Sequence, residues 1–144
     1  MRRRSRYGPL VAEVQLKPEQ KARAAIDGMM EAADWAVQDY KHTAIDLAAA
    51  RGVAVREFPT KRGPVDYLLF VDGKAIGTIE AKKEGTLLFG VEPQTERYIE
   101  GFAALVDEGT APPHWERRLS FHYQSTGVAG YPAPRRARGG AESS

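Results

Sequence analysis

The sequence predicts a single α/β domain, a mixed β-sheet core flanked by helices. Three observations lead there. The run from Gly63 to Lys83, GPVDYLLFVDGKAIGTIEAKK, reads as two apolar strands, Val65 to Val71 and Lys74 to Ala81, joined at Asp72-Gly73. That dipeptide accepts the positive φ a hairpin turn needs. Both strands are apolar on successive residues, most clearly from Tyr67 to Val71, the pattern of a strand covered on both faces. Finally, segments of helical period stand on either side of the hairpin, which is how a sheet acquires its covering layers.

The elements follow in order. Residues 1–17 read as a flexible basic lead-in with Arg2, Arg3, Arg4 and Arg6. Pro18-Glu19 opens a helix, with proline at its first position and acid in its first turn. Ala22, Ile26, Met29, Met30 and Ala33 form its apolar face, and it ends near Asp34-Trp35. From Tyr40 to Ala50 the alanines favour helix, but the apolar face is thin. Val53, Val55 and Phe58 mark a short strand before Pro59, and PTKRG connects it to the hairpin. A second helix runs from about Val91 to Val106, with Pro93 in its first turn and Tyr98, Ile99, Phe102 and Leu105 as its core face. GTAPP breaks it, and Leu119 to Tyr123 is the last strand. Residues 18–127 therefore form the domain, and the Gly-, Pro- and Arg-rich residues 128–144 a disordered tail.

Composition sets the bounds. A chain of 144 residues has room for one domain with a proper core and not for two of ordinary size. With 42% hydrophobic and 28% charged residues it is ordinary globular material, and a net charge of +2 is too small to name a partner. The arginines of the lead-in and Arg135, Arg136 and Arg138 read as solvated, with a phosphate contact as the alternative. The absence of cysteine removes disulfides and thiolate metal sites and fits a cytoplasmic location. No apolar run approaches the ~18 residues that cross a bilayer, and no apolar segment follows the basic start as a secretory signal requires.

Three ionisable groups, Asp66, Glu80 and Lys82, fall inside the apolar hairpin, where an unpartnered charge is costly. Joined by Asp72-Gly73 alone, the strands would set Asp66 against Ile79 and leave the two carboxylates on opposite faces. A three-residue loop, Val71-Asp72-Gly73, or an equivalent bulge puts Asp66, Glu80 and Lys82 on one face. Two carboxylates backed by a lysine suit Mg²⁺, which takes one or two carboxylates and keeps waters and substrate phosphate. Asp66 and Glu80 would be its ligands, the Ala81 carbonyl a further one, and Lys82 the group that stabilises charge growing on phosphorus oxygens. The other reading of these residues is a structural ion pair between Lys82 and a carboxylate.

The pattern Pro64-Val65-Asp66 followed by Glu80-Ala81-Lys82, or Asp-x13-Glu-x-Lys, resembles the signature of the PD-(D/E)xK nuclease superfamily. GVAVREFPTKRGPVDYLLFVDGKAIGTIEAKKEG, with Gln94-Thr95-Glu96-Arg97-Tyr98 behind it, resembles the amino-terminal nuclease domain of the type I restriction endonuclease R subunit, which carries motor and cleavage functions. FHYQSTG, Phe121 to Gly127, resembles that family's following strand, so the likeness spans Pro18 to Gly127. It implies a restriction-endonuclease-like fold and Mg²⁺-dependent cleavage of DNA, with Asp66 and Glu80 on the metal and Lys82 catalytic. Gln94 and Tyr98 match the family's Q-x-x-x-Y element and would position DNA and support the metal site. Taken alone, Gln94 reads as a helix-surface amide and Tyr98 as a core aromatic. Glu19 reads as an ordinary first-turn acid, with an outer metal partner as the alternative.

The resemblance also implies partners: DNA, and methyltransferase and specificity subunits or a motor domain in a restriction complex. The sequence contains no G-x-x-x-x-G-K-[ST] phosphate loop, so ATP enters only through a motor elsewhere. Where the family continues toward its motor, this chain turns into GYPAPRRARGGAESS, the expectation for a truncated or separately encoded fragment. A non-cleaving DNA-binding or assembly fragment is therefore the alternative function. His42, His114 and His122 lack metal-ligand spacing and read as surface or interface residues, and Trp35 and Trp115 as partial core.

Overall fold

The computed structural model describes residues 17–41, 44–86, 93–128 and 135–136. All of the lead-in but Lys17 therefore lies outside the described residues, as do His42 and most of the tail. Within them the chain runs α1 (Pro18–Ala32), β1 (Ala36–Asp39), β2 (Gly52–Phe58), β3 (Val65–Val71), β4 (Lys74–Ala81), α2 (Pro93–Glu108), β5 (Phe121–Ser125) and β6 (Arg135–Arg136).

One mixed sheet holds every strand, in the order β1-β2-β3-β4-β5-β6. β1 runs parallel to β2 and β5 parallel to β4, and the other neighbours are antiparallel. The two helices cover opposite faces. Ala22, Ile26 and Met30 of α1 pack on Ala54, Tyr67, Leu69 and Ala81. Phe102 of α2 packs on Val53, Val55, Leu68 and Phe70, with Tyr98 and Leu105 beside it. From Tyr67 to Phe70 β3 is thus apolar on successive residues because Tyr67 and Leu69 meet the α1 side and Leu68 and Phe70 the α2 side, while Val65 at its head joins the α2-side core.

Both helices end through the same device. Asp34 takes a left-handed φ of 70° and lets Trp35 N–H reach the Met30 carbonyl at 2.9 Å. Gly109, at φ 77°, does the same for Thr110 and Leu105, also at 2.9 Å. These are Schellman closures, which satisfy the last carbonyls of a helix.

Several expectations change. Ala36–Asp39, for which the sequence predicts no element, is a strand, and residues 44–51 hold turns and no helix. The alanines there lack the apolar stripe that would anchor a helix, so propensity alone does not form one. Met29 is exposed, and so is Trp115, which lies under Lys74 with its indole N–H on the Val71 carbonyl at 3.0 Å. At the other end, Arg135–Arg136 pairs with Phe121 and His122.

The hairpin takes the second of its two expected forms, the bulge. Val71 pairs with Lys74, so the loop has two residues, not three; Asp72 and Gly73 take φ values of 52° and 81°. This is the turn whose twist matches that of the strands. The extra residue sits in β4 instead. Phe70 pairs with Ala75 but Leu69 with Gly77, leaving Ile76 unmatched as a bulge. The bulge restores the parity a three-residue loop would have given. Continued by one pair beyond Tyr67 and Ile79, the register sets Asp66 against Glu80.

Candidate active site

The side chains of Thr78 and Glu80 extend from β4 toward the α2 side, because Thr78 pairs with Leu68 of that core. The parallel strand β5 adds a second row in register, His122 beside Thr78 and Gln124 beside Glu80. A face that is otherwise aliphatic and aromatic thus carries a polar strip along its β4–β5 side.

Asp66 is half-buried, and both its oxygens are engaged. Oδ2 accepts the Ala81 N–H at 2.8 Å and Oδ1 accepts Arg23 Nη2 at 2.9 Å. Arg23 comes from α1 and also pairs with Glu57 at 2.6 Å. Glu57 lies across from Asp66 and takes a φ of 58°, a value a non-glycine residue adopts only where its surroundings enforce it. Burial raises the Asp66 carboxyl above its ordinary value, more than Ala81 and Arg23 lower it. Burial pulls the Arg23 guanidinium down, but Asp66 and Glu57 outweigh it and raise it. The ion pair therefore holds Arg23 charged without fully repaying the desolvation of Asp66.

Glu80 is only 4% exposed. Its Oε2 lies 3.1 Å from Lys82 Nζ and its Oε1 lies 3.3 Å from His122 Nε2. Burial pushes this carboxyl up, but the contacts from His122 and Lys82 together exceed it and hold Glu80 below its ordinary range. The His122 contact is longer and less aligned than a full hydrogen bond, and Oε1 has no other hydrogen-bond donor. Lys82 is partly exposed, so Asp66 and Lys82 reach solvent while Glu80 lies beneath. A groove of about 400 Å³ between α1 and the segments after β4 and β5 is lined by Lys21, Lys83, Glu84 and Thr126, and not by Asp66, Glu80 or Lys82.

Asp66, Glu80 and Lys82 are thus gathered at one corner of the sheet. Tyr98 is partly buried against the α2-side core, while the side chain of Gln94 lies outside the described residues. Glu19 is exposed in the first turn of α1. Among the described residues no group of three or more His, Asp or Glu side chains converges as a metal cluster.

His122 overturns its expectation. It is 2% exposed, with Nδ1 hydrogen-bonded to the Thr78 hydroxyl. Sequence reading also passed over Arg23 and Gln124. Gln124 is 1% exposed and its amide finds no hydrogen-bond partner. The signal was present in F-H-Y-Q-S, where polar residues alternate with aromatic ones and it is the polar set that is buried.

Among the described residues no helix is long and apolar enough to cross a membrane. Searches of curated proteins and of solved structures returned no match. A family model does match, over residues 32–128, about two thirds of the chain; it describes the second domain of the type I restriction enzyme EcoKI endonuclease subunit. The match begins at the last residue of α1 and takes in the whole hairpin, α2 and β5. With its restriction-endonuclease-like sheet and its acids at one corner, this chain belongs to the family of the type I restriction enzyme endonuclease-subunit second domain.

Proposed function

We propose that this chain is a Mg²⁺-dependent endonuclease domain that hydrolyses DNA phosphodiester bonds within a type I restriction complex. The observation that carries the reading is Glu80 Oε1. It is a buried carboxylate oxygen that completes no hydrogen bond, with His122 Nε2 facing it at 3.3 Å, a second carboxylate across the strand pair, and a lysine 3.1 Å from its sister oxygen Oε2. A buried anionic oxygen is stabilised only by a partner, and a hard divalent cation is a fitting one. A donor set of two carboxylates also suits Mg²⁺ better than a fully caged ion, since Mg²⁺ keeps several waters.

Asp66 and Glu80 would hold the ion, which when bound supplies an acidified water and neutralises phosphate charge. The protein's own contribution is positional and electrostatic. The Ala81 N–H and Arg23 fix the Asp66 carboxylate. Lys82 lends positive charge where the phosphoryl oxygens gain negative charge, in a partly desolvated setting where such charge counts most. Gln94 and Tyr98 of α2 are proposed to steady the DNA backbone. Methyltransferase and specificity subunits, and a motor that uses ATP, are the partners the family implies.

One observation favours a second reading, a DNA-binding or assembly domain that does not cut. Both Asp66 oxygens are already engaged, which costs them their freedom as ligands. Nicking of supercoiled plasmid with Mg²⁺ or Mn²⁺ separates the two. Under the nuclease reading the parent nicks, and Asp66→Ala and Lys82→Ala do not. Equal background in all three proteins leaves the non-cutting domain.

A further inference from the structure

On the α2 face, β5 brings His122 beside Thr78 in register. Val53, Val55, Leu68 and Phe70 fill the same face, so a leucine would suit position 122 sterically. A histidine buried to 2% exposure instead has Nδ1 hydrogen-bonded to Thr78 and Nε2 facing Glu80 Oε1 at 3.3 Å, short of a full hydrogen bond.

The tautomer follows from the neighbours. An imidazole with its proton on Nδ1 would aim the Nε2 lone pair at a carboxylate oxygen, which is repulsive. With the Thr78 hydroxyl donating to Nδ1, Nε2 carries the hydrogen and aims it at Glu80. Lys82 holds the other oxygen of the same carboxylate. Two anchors on two oxygens fix the plane of a side chain that would otherwise rotate about its last bond.

We propose that His122 is a positioning residue of this site: Thr78 orients His122, and His122 orients the Glu80 carboxylate to receive a divalent cation. The inference rests on the metal-site reading given above. It assigns to β5 the outer-layer role that hydrogen-bonded partners of metal ligands play, whose loss typically lowers metal affinity 10–100-fold.

Two measurements test it. Imidazole ¹⁵N spectra of the parent, with His122→Gln used to assign the signal, should show His122 as the Nε2–H tautomer, and Glu80→Gln should shift that signal. An Nδ1–H tautomer, or a signal indifferent to Glu80→Gln, overturns the relay whether or not a metal binds. Calorimetric Mn²⁺ titration then compares folded variants. His122→Asn, whose amide reaches Thr78 but not Glu80, should lose about tenfold or more in affinity. His122→Gln, whose amide reaches Glu80, should stay within about threefold. Asparagine and parent binding alike, or glutamine failing as badly as asparagine, overturns the positioning role. Should Glu80→Gln itself bind Mn²⁺ like the parent, the ligand reading falls, and with it the cation-receiving part of the proposal, while the spectra still judge the Thr78–His122–Glu80 contact.

Discussion

Arg23 Nη2 lies 2.9 Å from Asp66 Oδ1, so α1 is tied to the head of β3 by the same guanidinium that pairs with Glu57 at 2.6 Å. The helix thus reaches the corner where the acids gather, although the family match starts only at residue 32.

Arg23→Ala removes both ion pairs. All three side chains are roughly a quarter to a third exposed, so solvent screening limits the loss to about 1 kcal/mol. Urea unfolding at neutral pH should show a lowered midpoint with an unchanged slope. A loss of several kcal/mol would mean that Arg23 supports α1 by more than these pairs.

Ligand and catalytic roles separate by a different pair of readouts. Asp66→Asn and Glu80→Gln should each lower Mn²⁺ affinity by about tenfold or more, since each removes a charged oxygen donor. Lys82→Ala should bind Mn²⁺ at least as well as the parent and yet abolish nicking. Calorimetry and plasmid nicking on the same preparations check both halves.

Glu80 gives a pH signature in protein without added metal. Its folded value lies below the ordinary 4.5, so the stability it contributes is complete above that pH and is lost as the pH falls through the folded value. Asp66 runs the other way. Its raised value means that the ionised form costs stability, a cost that enters as the pH rises above the ordinary 3.8. The stability advantage of the parent over Glu80→Gln should therefore shrink as urea midpoints are measured from pH 7 downward.

Gly101 lies where α2 meets the connection before β3. A Cβ there would strike Thr60 Oγ1 and come within 2.9 Å of the Arg62 backbone nitrogen. Gly101→Ala should destabilise by about 1–2 kcal/mol, even though alanine gains about 1 kcal/mol in helix propensity. Thermal unfolding measures the balance, and a net gain would show that the connection yields.

What the sequence disclosed, and what it hid, follows the range of the forces involved. The strands of the hairpin are legible to the residue because Asp72-Gly73 and the apolar runs are local signals. β1 is hidden because its four half-buried residues include only Ala36 and Val37 as apolar members, and its parallel partner lies beyond a long connection. The acids and the lysine could be read as a set, since alternation along two adjacent strands decides their face. His122 could not, because Thr78, the residue that explains it, is 44 positions away. Arg23 stands beside Ala22 on the flank of the apolar stripe of α1, where nothing local marks it as a partner of Asp66.

Ile76, the unmatched residue of β4, has a consequence for how kin of this domain should be sought. Excising it would leave every cross-strand couple intact and shorten the interval between the acids by one, whereas excising Tyr67 would turn Asp66 to the opposite side. What inheritance must preserve here is the match between the two, an odd count with the kink or an even count without it, not a fixed count of thirteen. A pattern search that insists on the number would discard chains whose geometry is the same.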